Sequence, residues 1–259
     1  MRELHEEPAV AARTPAQDAH PPAVGNDIRD RLRLHVLTDR ALSHGRTDVE
    51  VATAALTGGA TVVQLRGKDL TGADLVRVGQ RLRELTRIHG GLLIVNDRVD
   101  VALAVGADGA HVGQDDLPAP DARRLLGPDR LLGVSARTVG EAVCAARDGA
   151  DYIGFGPVFP TLTKGDAGSP SGLEELRRVC AAVAIPVVAI GGIAAGNAGA
   201  VIAAGAAGVA VIAAVVGVPD SAAATRVLLR AITVPQRADD AWLRPHLTTP
   251  AGARGVTRE

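Results

Sequence analysis

Aromatic residues are nearly missing from this chain: one Trp, one Tyr and two Phe stand among 259 residues. A core without large rings has to be filled by Ala, Val, Leu and Ile, and side chains of that kind suit buried parallel strands covered by helices. Cysteine is as scarce. Cys144 and Cys180 both fall in stretches of helical pattern, so they are expected to be small buried hydrophobes in a reducing compartment, not a disulfide. No pair of His or Cys has zinc-site spacing, and no Gly-x-Ser-x-Gly elbow is present, which speaks against a zinc site and a hydrolase nucleophile. There is no run of about 18 uncharged apolar residues of the kind that spans a membrane. The most apolar stretch, 198–218, is broken by Gly at the spacing of a strand between two helices. The N-terminal segment is acidic, rich in Pro and Ala and without an apolar centre, so no secretory signal is read there and a cytoplasmic location is expected. Charge of one sign is lacking too. The 28 Lys and Arg against 29 Asp and Glu leave −1, with no global footprint for nucleic acid or anionic membrane. An anionic ligand must meet a local cluster of cations.

What is present is enough apolar material, 47% of the chain, for one sizeable core. Residues 1–30 and 236–259 carry several prolines and no hydrophobic period, and are expected to be mobile tails, with Trp242 and Leu243 able to dock on the surface. The segment 31–235 alternates β-branched runs with Ala- and Leu-rich stretches of helical period. Eight strands are expected, at 34–38, 61–65, 92–96, 109–113, 131–135, 152–156, 186–190 and 208–212. Helices are expected at 47–57, 71–89, 98–105, 120–126, 138–148, 172–183, 195–204 and 219–232. Gly-Gly-Ala at 58–60 and Gly-Ala-Asp at 106–108 and 149–151 suit helix ends that reverse into the next strand. The pattern predicts a single-domain (β/α)₈ barrel, with an open doubly wound sheet as the alternative.

In such a barrel the chemistry belongs to polar residues just after the strands. They are Gln64, Arg66 and Lys68 after the second run, Asn96 and Asp97 after the third, and Asp116 after the fourth. Ser135 follows the fifth, Thr161, Thr163 and Lys164 the sixth, and Gly191-Gly192 the seventh. Asp97 and Asp116 follow adjacent strands, and two carboxylates completed by waters and phosphate oxygens make a site of the kind Mg²⁺ prefers. The plainer alternative is that each Asp caps the following helix. Asp115 is expected to point to the other face. Arg66, Lys68 and Lys164, with a metal, have the charge to neutralise a pyrophosphate, unless they are merely solvated surface cations. The Gly pair allows close backbone approach and a phosphate at a helix N-terminus, or serves only the turn. His111, and similarly His35, are expected to be packed, hydrogen-bonded histidines beside the site.

These residues stand in QLRGK at 64–68, VNDRVDVALAVGADGAHVGQDDLP at 95–118, GVSART at 133–138, YIGFGPVFPTLTK at 152–164, VVAIGGI at 187–193 and AGAAGVAVIAAV at 204–215. In that order they resemble the thiamine-phosphate synthase family over roughly residues 33–232. The resemblance implies a transferase of thiamine biosynthesis. In its reaction a thiazole phosphate displaces pyrophosphate from 4-amino-2-methyl-5-(diphosphomethyl)pyrimidine. It also implies that Gln64, Arg66 and Lys68, with Asn96 alongside, hold the pyrimidine substrate and its diphosphate, while Asp97 and Asp116 ligate Mg²⁺. Ser135 and Lys164 would complete those contacts. Thr161 and Thr163 would meet the thiazole phosphate, with backbone contacts from Gly192, Ile212 and Ala213. Two positions depart from the family: Gly67, where an acidic residue is common, and Ala213, where Ser is common.

The partners so implied are small molecules, with neither nucleic acid nor membrane, and self-association into a homo-oligomer is left open. A thiazole tautomerase of the same barrel group would need a general acid or base and no carboxylate pair. A non-catalytic phosphate-sensing barrel would keep the Gly-Gly turn and lose the metal and the cations. A Schiff-base aldolase would need a lysine desolvated in an apolar strand interior, which neither Lys68 nor Lys164 is.

Overall fold

Eight short apolar runs form eight parallel strands that close on themselves in chain order. They are β1 (Leu34–Leu37), β2 (Val62–Leu65), β3 (Leu92–Asn96), β4 (Gly109–Val112), β5 (Leu131–Ala136), β6 (Tyr152–Phe155), β7 (Val187–Ile190) and β8 (Gly208–Val211). The helices are α1 (Asn26–Arg31), α2 (Asp48–Thr57), α3 (Gly72–His89), α4 (Val99–Ala104), α5 (Ala119–Leu126), α6 (Val139–Arg147), α7 (Gly172–Ala182), α8 (Ala195–Ala203), α9 (Ala213–Val216) and α10 (Ser221–Thr233). This computed structural model describes residues 26–161, 163 and 168–233, the side chains from residue 28 onward. Both expected tails, with Trp242 and Leu243, lie outside the described residues apart from the start of α1. Pairing of β1 with β8, Val36 against Val211, closes the ring and removes the open-sheet alternative.

Alternation along each strand builds two cores. One set of positions, among them Leu34, Val36, Val63, Leu65, Leu93, Val95, Ile153 and Phe155, packs in the main cluster with buried helix residues such as Val51, Leu82 and Val179. The intervening set, Leu37, Val62, Leu92, Ile94, Tyr152, Val188 and Ala210, forms a separate cluster inside the barrel. Period-2 patterning on strands buried on both faces does this without any special residue.

The recurring turns read from the sequence have a physical role. Thr61 Oγ1 accepts the N–H of Leu34 at 3.0 Å, Asp108 Oδ2 that of Leu93 at 2.8 Å, and Asp151 Oδ2 that of Leu132 at 2.7 Å. In each case the residue entering an even-numbered strand satisfies the first orphan donor of the strand before it, at the amino-terminal rim. Arg83 and Arg123 hold the two carboxylates from α3 and α5.

Three features differ from expectation. Helix α1 precedes β1 inside the stretch assigned to the tail. It has six residues, too few to show a period, and it delivers Leu32 to the inner cluster beside Val62 and Leu92. Helix α9, which follows β8 and is four residues long, is equally silent in the sequence. Cys144 is exposed and Cys180 only half-buried, because α6 buries Ala142 and Ala145 and turns position 144 outward; both thiols are free.

The single tyrosine sits in the barrel because glycine makes room for it. A Cβ on Gly133 would lie 2.2 Å from the Tyr152 ring and 2.4 Å from His111. Gly133→Ala is expected to destabilise the fold by about 1–3 kcal/mol through overpacking, read as a lower denaturant midpoint at unchanged slope.

Candidate active site

The carboxyl ends of the strands surround a cavity of about 370 Å³, a size that suits a small organic ligand. Its wall includes Gln64, Arg66, Lys68, Asn96, Asp97, Asp116, Ser135, Thr161, Thr163, Gly192, Ile212 and Ala213. Parallel strands of a closed barrel deliver all of them to one rim although they are spread over most of the domain. Lys164 lies outside the described residues.

Neither carboxylate caps a helix. The N-cap of α4 is Arg98 and that of α5 is Pro118, and neither N-cap makes a side-chain cap bond. Asp97 instead occupies the left-handed region, φ 64°, uncommon for a residue with a side chain, and its N–H is fastened to His111 O at 2.7 Å. Asp116 Oδ2 accepts the Gly113 N–H at 2.7 Å. The two carboxyl groups are within hydrogen-bond reach of each other. Burial, then the neighbouring Asp116, pushes the Asp97 carboxyl up to about 6, while Lys68 and Arg66 pull against the shift. Two negative groups are thus forced together beside two positive ones. Asp115 also lines the cavity, contrary to the expectation that it faces away. The chain has left the strand by residue 113 and turns there, so strand alternation no longer decides direction.

Below the carboxylates runs a line of polar groups that sequence reasoning only partly anticipated. Ser135 Oγ is 3.0 Å from His111 Nε2, and His111 Nδ1 is 3.1 Å from the Tyr152 hydroxyl. Burial holds the Tyr152 hydroxyl protonated far above its ordinary range. In either neutral tautomer one ring N–H donates and the other nitrogen accepts, so the orientation of the serine hydroxyl is coupled to the tyrosine. His111 is the packed, hydrogen-bonded residue expected. His35 is packed against Tyr152, ring centroids 5.5 Å apart, but its Nε2 has no partner among the described residues, and burial followed by His111 lowers it to about 3. It is a neutral part of the cavity floor.

On the far side, Gly191 and Gly192 have φ of 97° and 64°, and a Cβ on either would come within 2.5 Å of the 157–160 backbone. The pair therefore serves the close seating of the β6 loop, where the Phe159 N–H donates to Gly191 O at 3.0 Å, as well as opening the cavity wall. Arg46 ties the loop after β1 to the end of α9 and the segment beyond, donating to Val216 O at 2.6 Å and to Ser221 Oγ at 2.8 Å.

The thiamine monophosphate synthase family model matches residues 34–215, which takes in every strand and the cavity they form. The chain belongs to that family. Thiamine-phosphate synthase of Moorella thermoacetica is 58% identical over 200 residues, 77% of this chain and 95% of that protein. The Chloroflexus aurantiacus thiamine-phosphate synthase is 55% identical over 204 residues, 79% of this chain and 94% of its own length. Among solved structures, thiamine phosphate pyrophosphorylase from Pyrococcus furiosus superposes with a TM-score of 0.74 at 44% identity, covering 79% of this chain and 97% of that one.

Other residues of this thiamine monophosphate synthase family member reach the cavity without having been read from the sequence. Gln114 donates from Nε2 to Ser135 O at 2.6 Å, and Arg137 and Tyr152 line the wall. Arg137 stands two residues past Ser135, the interval that separates Arg66 from Gln64 and Lys68, and that spacing was the available signal. Among the described residues no group of three or more His, Cys, Asp and Glu side chains forms a metal cluster, so the acidic site is the Asp97–Asp116 pair with its cations.

A carboxyl raised from 3.8 to about 6 binds its proton more tightly in the folded chain, so the protein free of divalent cation loses stability from this group as pH rises from about 4 through 6. Asp97→Asn is expected to remove that slope. Urea melts of the two proteins at pH 5 and pH 7.5, in chelator, should show the variant gaining on the parent at the higher pH. A constant difference would contradict the raised Asp97 carboxyl, of which burial is the larger cause and Asp116 the second.

Proposed function

We propose that this member of the thiamine monophosphate synthase family makes thiamine monophosphate. The thiazole ring nitrogen of 4-methyl-5-(2-phosphoethyl)thiazole attacks the methylene carbon of 4-amino-2-methyl-5-(diphosphomethyl)pyrimidine. The new C–N bond takes the nitrogen lone pair, the C–O bond to the diphosphate breaks, and that electron pair leaves with pyrophosphate. The observation that carries the reading is the juxtaposition of a carboxylate pair, Arg66 and Lys68 in one cavity of ligand size.

The residues fit a divalent cation. Burial, then Asp116 beside it, raises Asp97 to about 6, and a cation held by the two carboxylates would offset the repulsive part. Two protein carboxylates, with the rest of an octahedron left to water and phosphate oxygens, suit Mg²⁺. When bound, Mg²⁺ supplies positive charge to the diphosphate as it departs. In this reading Arg66 and Lys68 add preorganised positive charge from the protein, Lys164 joins them from the β6 loop, and no water has to reorganise as charge develops. Gln64 and Asn96 orient the pyrimidine. Ser135, fixed by His111, accepts or donates at its ring. Thr161 and Thr163 meet the phosphate of the thiazole, with Gly192, Ile212 and Ala213 offering backbone, a type of phosphate seat common after the seventh and eighth strands of such barrels. Ala213 has no hydroxyl to add, so backbone donors carry that contact.

No base is needed to activate the nucleophile, since an aromatic ring nitrogen already presents its lone pair. A tautomerase, by contrast, has no use for paired carboxylates beside two cations. No helix among the described residues is long and apolar enough to cross a membrane, and a cytoplasmic enzyme acting on small molecules completes the reading.

Incubation of purified protein with both substrates and Mg²⁺ is expected to release pyrophosphate and thiamine monophosphate in equal amounts, and neither in chelator. Asp97→Ala and Asp116→Ala are each expected to lower turnover by roughly 10² or more, the loss typical of one major transition-state contact. Rates within a few-fold of the parent would contradict the metal assignment. Lys164→Ala is expected to lower kcat more than it raises KM for the thiazole phosphate; the reverse pattern places Lys164 on the acceptor.

A further inference from the structure

Arg66 is gripped from behind by two residues that follow β1. Thr38 Oγ1 accepts the Arg66 N–H at 3.0 Å and donates to Arg66 O at 3.2 Å, so the backbone of Arg66 is held on both sides by one hydroxyl. Asp39 Oδ2 accepts from Arg66 Nη1 at 2.6 Å, with the two side chains 11% and 13% exposed. The other carboxylate oxygen, Oδ1, accepts the Leu42 N–H at 3.2 Å and starts the loop after β1. A guanidinium has five N–H donors in a rigid fork, and Asp39 occupies the Nη1 end, leaving the remaining donors for the cavity that Arg66 lines. The ion pair also cancels, locally, the charge that an anion in the cavity would feel. With both side chains this little exposed, that cancellation is not screened away as it is on an open surface.

We propose that Asp39 is a positioning residue that sets how tightly Arg66 grips the diphosphate. It fixes the guanidinium so that one edge faces the leaving group, and it weakens the hold on diphosphate in the ground state and in the product. The benefit is specific to catalysis: binding that is equally strong before, during and after bond cleavage does not speed the chemical step. The proposal rests on the reading that this cavity binds a diphosphate.

The test titrates inorganic pyrophosphate, with Mg²⁺ present, into the full chain, Asp39→Asn, Arg66→Ala and the double variant. Asparagine keeps an oxygen for the Leu42 N–H, so the loop start is preserved while the charge is removed. Asp39→Asn is expected to bind pyrophosphate roughly fivefold more tightly or better, and the gain is expected to vanish when residue 66 is Ala. Unchanged or weaker binding by Asp39→Asn, or a gain that persists without Arg66, overturns the role. Loosening of the fold alone would weaken binding in both backgrounds. If the parent binds pyrophosphate yet forms no thiamine monophosphate, the reaction assignment fails while the titrations still decide Asp39. A parent that does not bind pyrophosphate overturns both.

Discussion

Closure of a parallel eight-stranded sheet is the constraint on which everything else rests. Once β1 pairs with β8, each strand has one set of side chains that must fill the inside of a ring and another that must face helices. The outward set is uniformly apolar, as two-sided burial demands. The inward set changes character along the strand. It is apolar at the amino end, where Leu32, Val62 and Leu92 meet, and carries Gln64, Asn96, His111 and Ser135 toward the carboxyl end, where they line the cavity. The cavity is the place where the ring stops being filled.

That place is electrostatically unsettled. Asp97 is held in a left-handed conformation with its carboxyl against Asp116, Arg66 is already spoken for by Asp39, and Lys68 stands near the pair. The conformation and crowded carboxyl of Asp97 cost something in the isolated chain, and the site is supported by backbone N–H groups whose bonds do not depend on a ligand: Asp97 N–H to His111 O, Gly113 N–H to Asp116, and Arg66 N–H to Thr38. Strain kept in place by the scaffold is what preorganisation means physically. The floor beneath is the opposite, a buried His35, Tyr152 and His111 group with the tyrosine and one histidine held neutral by burial.

How much of this could be read from residues alone depended on distance along the chain. The strands were legible to within a residue or two, because each β-branched run is bounded by turn residues and followed by a helical period. α1 and α9, at six and four residues, carry less than two turns and no readable period. The cavity-lining residues at or just past the carboxyl ends of strands were legible by position. Asp39 was not, although it also follows a strand, because its meaning lies in Arg66, 27 residues away, and nothing in spacing reports such a pairing. Asp115 was not, because strand alternation ends before it, nor was the exposure of Cys144, because the phase of α6 is set by the burial of Ala142 and Ala145. Composition carries a signal of its own: Lys68 and Lys164 are the only lysines among 28 basic residues, Arg serving everywhere else.

The amino-terminal rim holds a different kind of order. Thr61, Asp108 and Asp151 each reach back to the strand before, joining β1 to β2, β3 to β4 and β5 to β6. Three of the four successive pairs are sewn there, β7 and β8 being joined past Ala207 by backbone alone, and the stitches sit a strand's length, about 13 Å, from the mouth. Seam and mouth share no side chain. Inheritance can therefore rewrite the chemistry at one end while the hem at the other stays intact, and duplication of a two-strand unit would carry its own fastening with it.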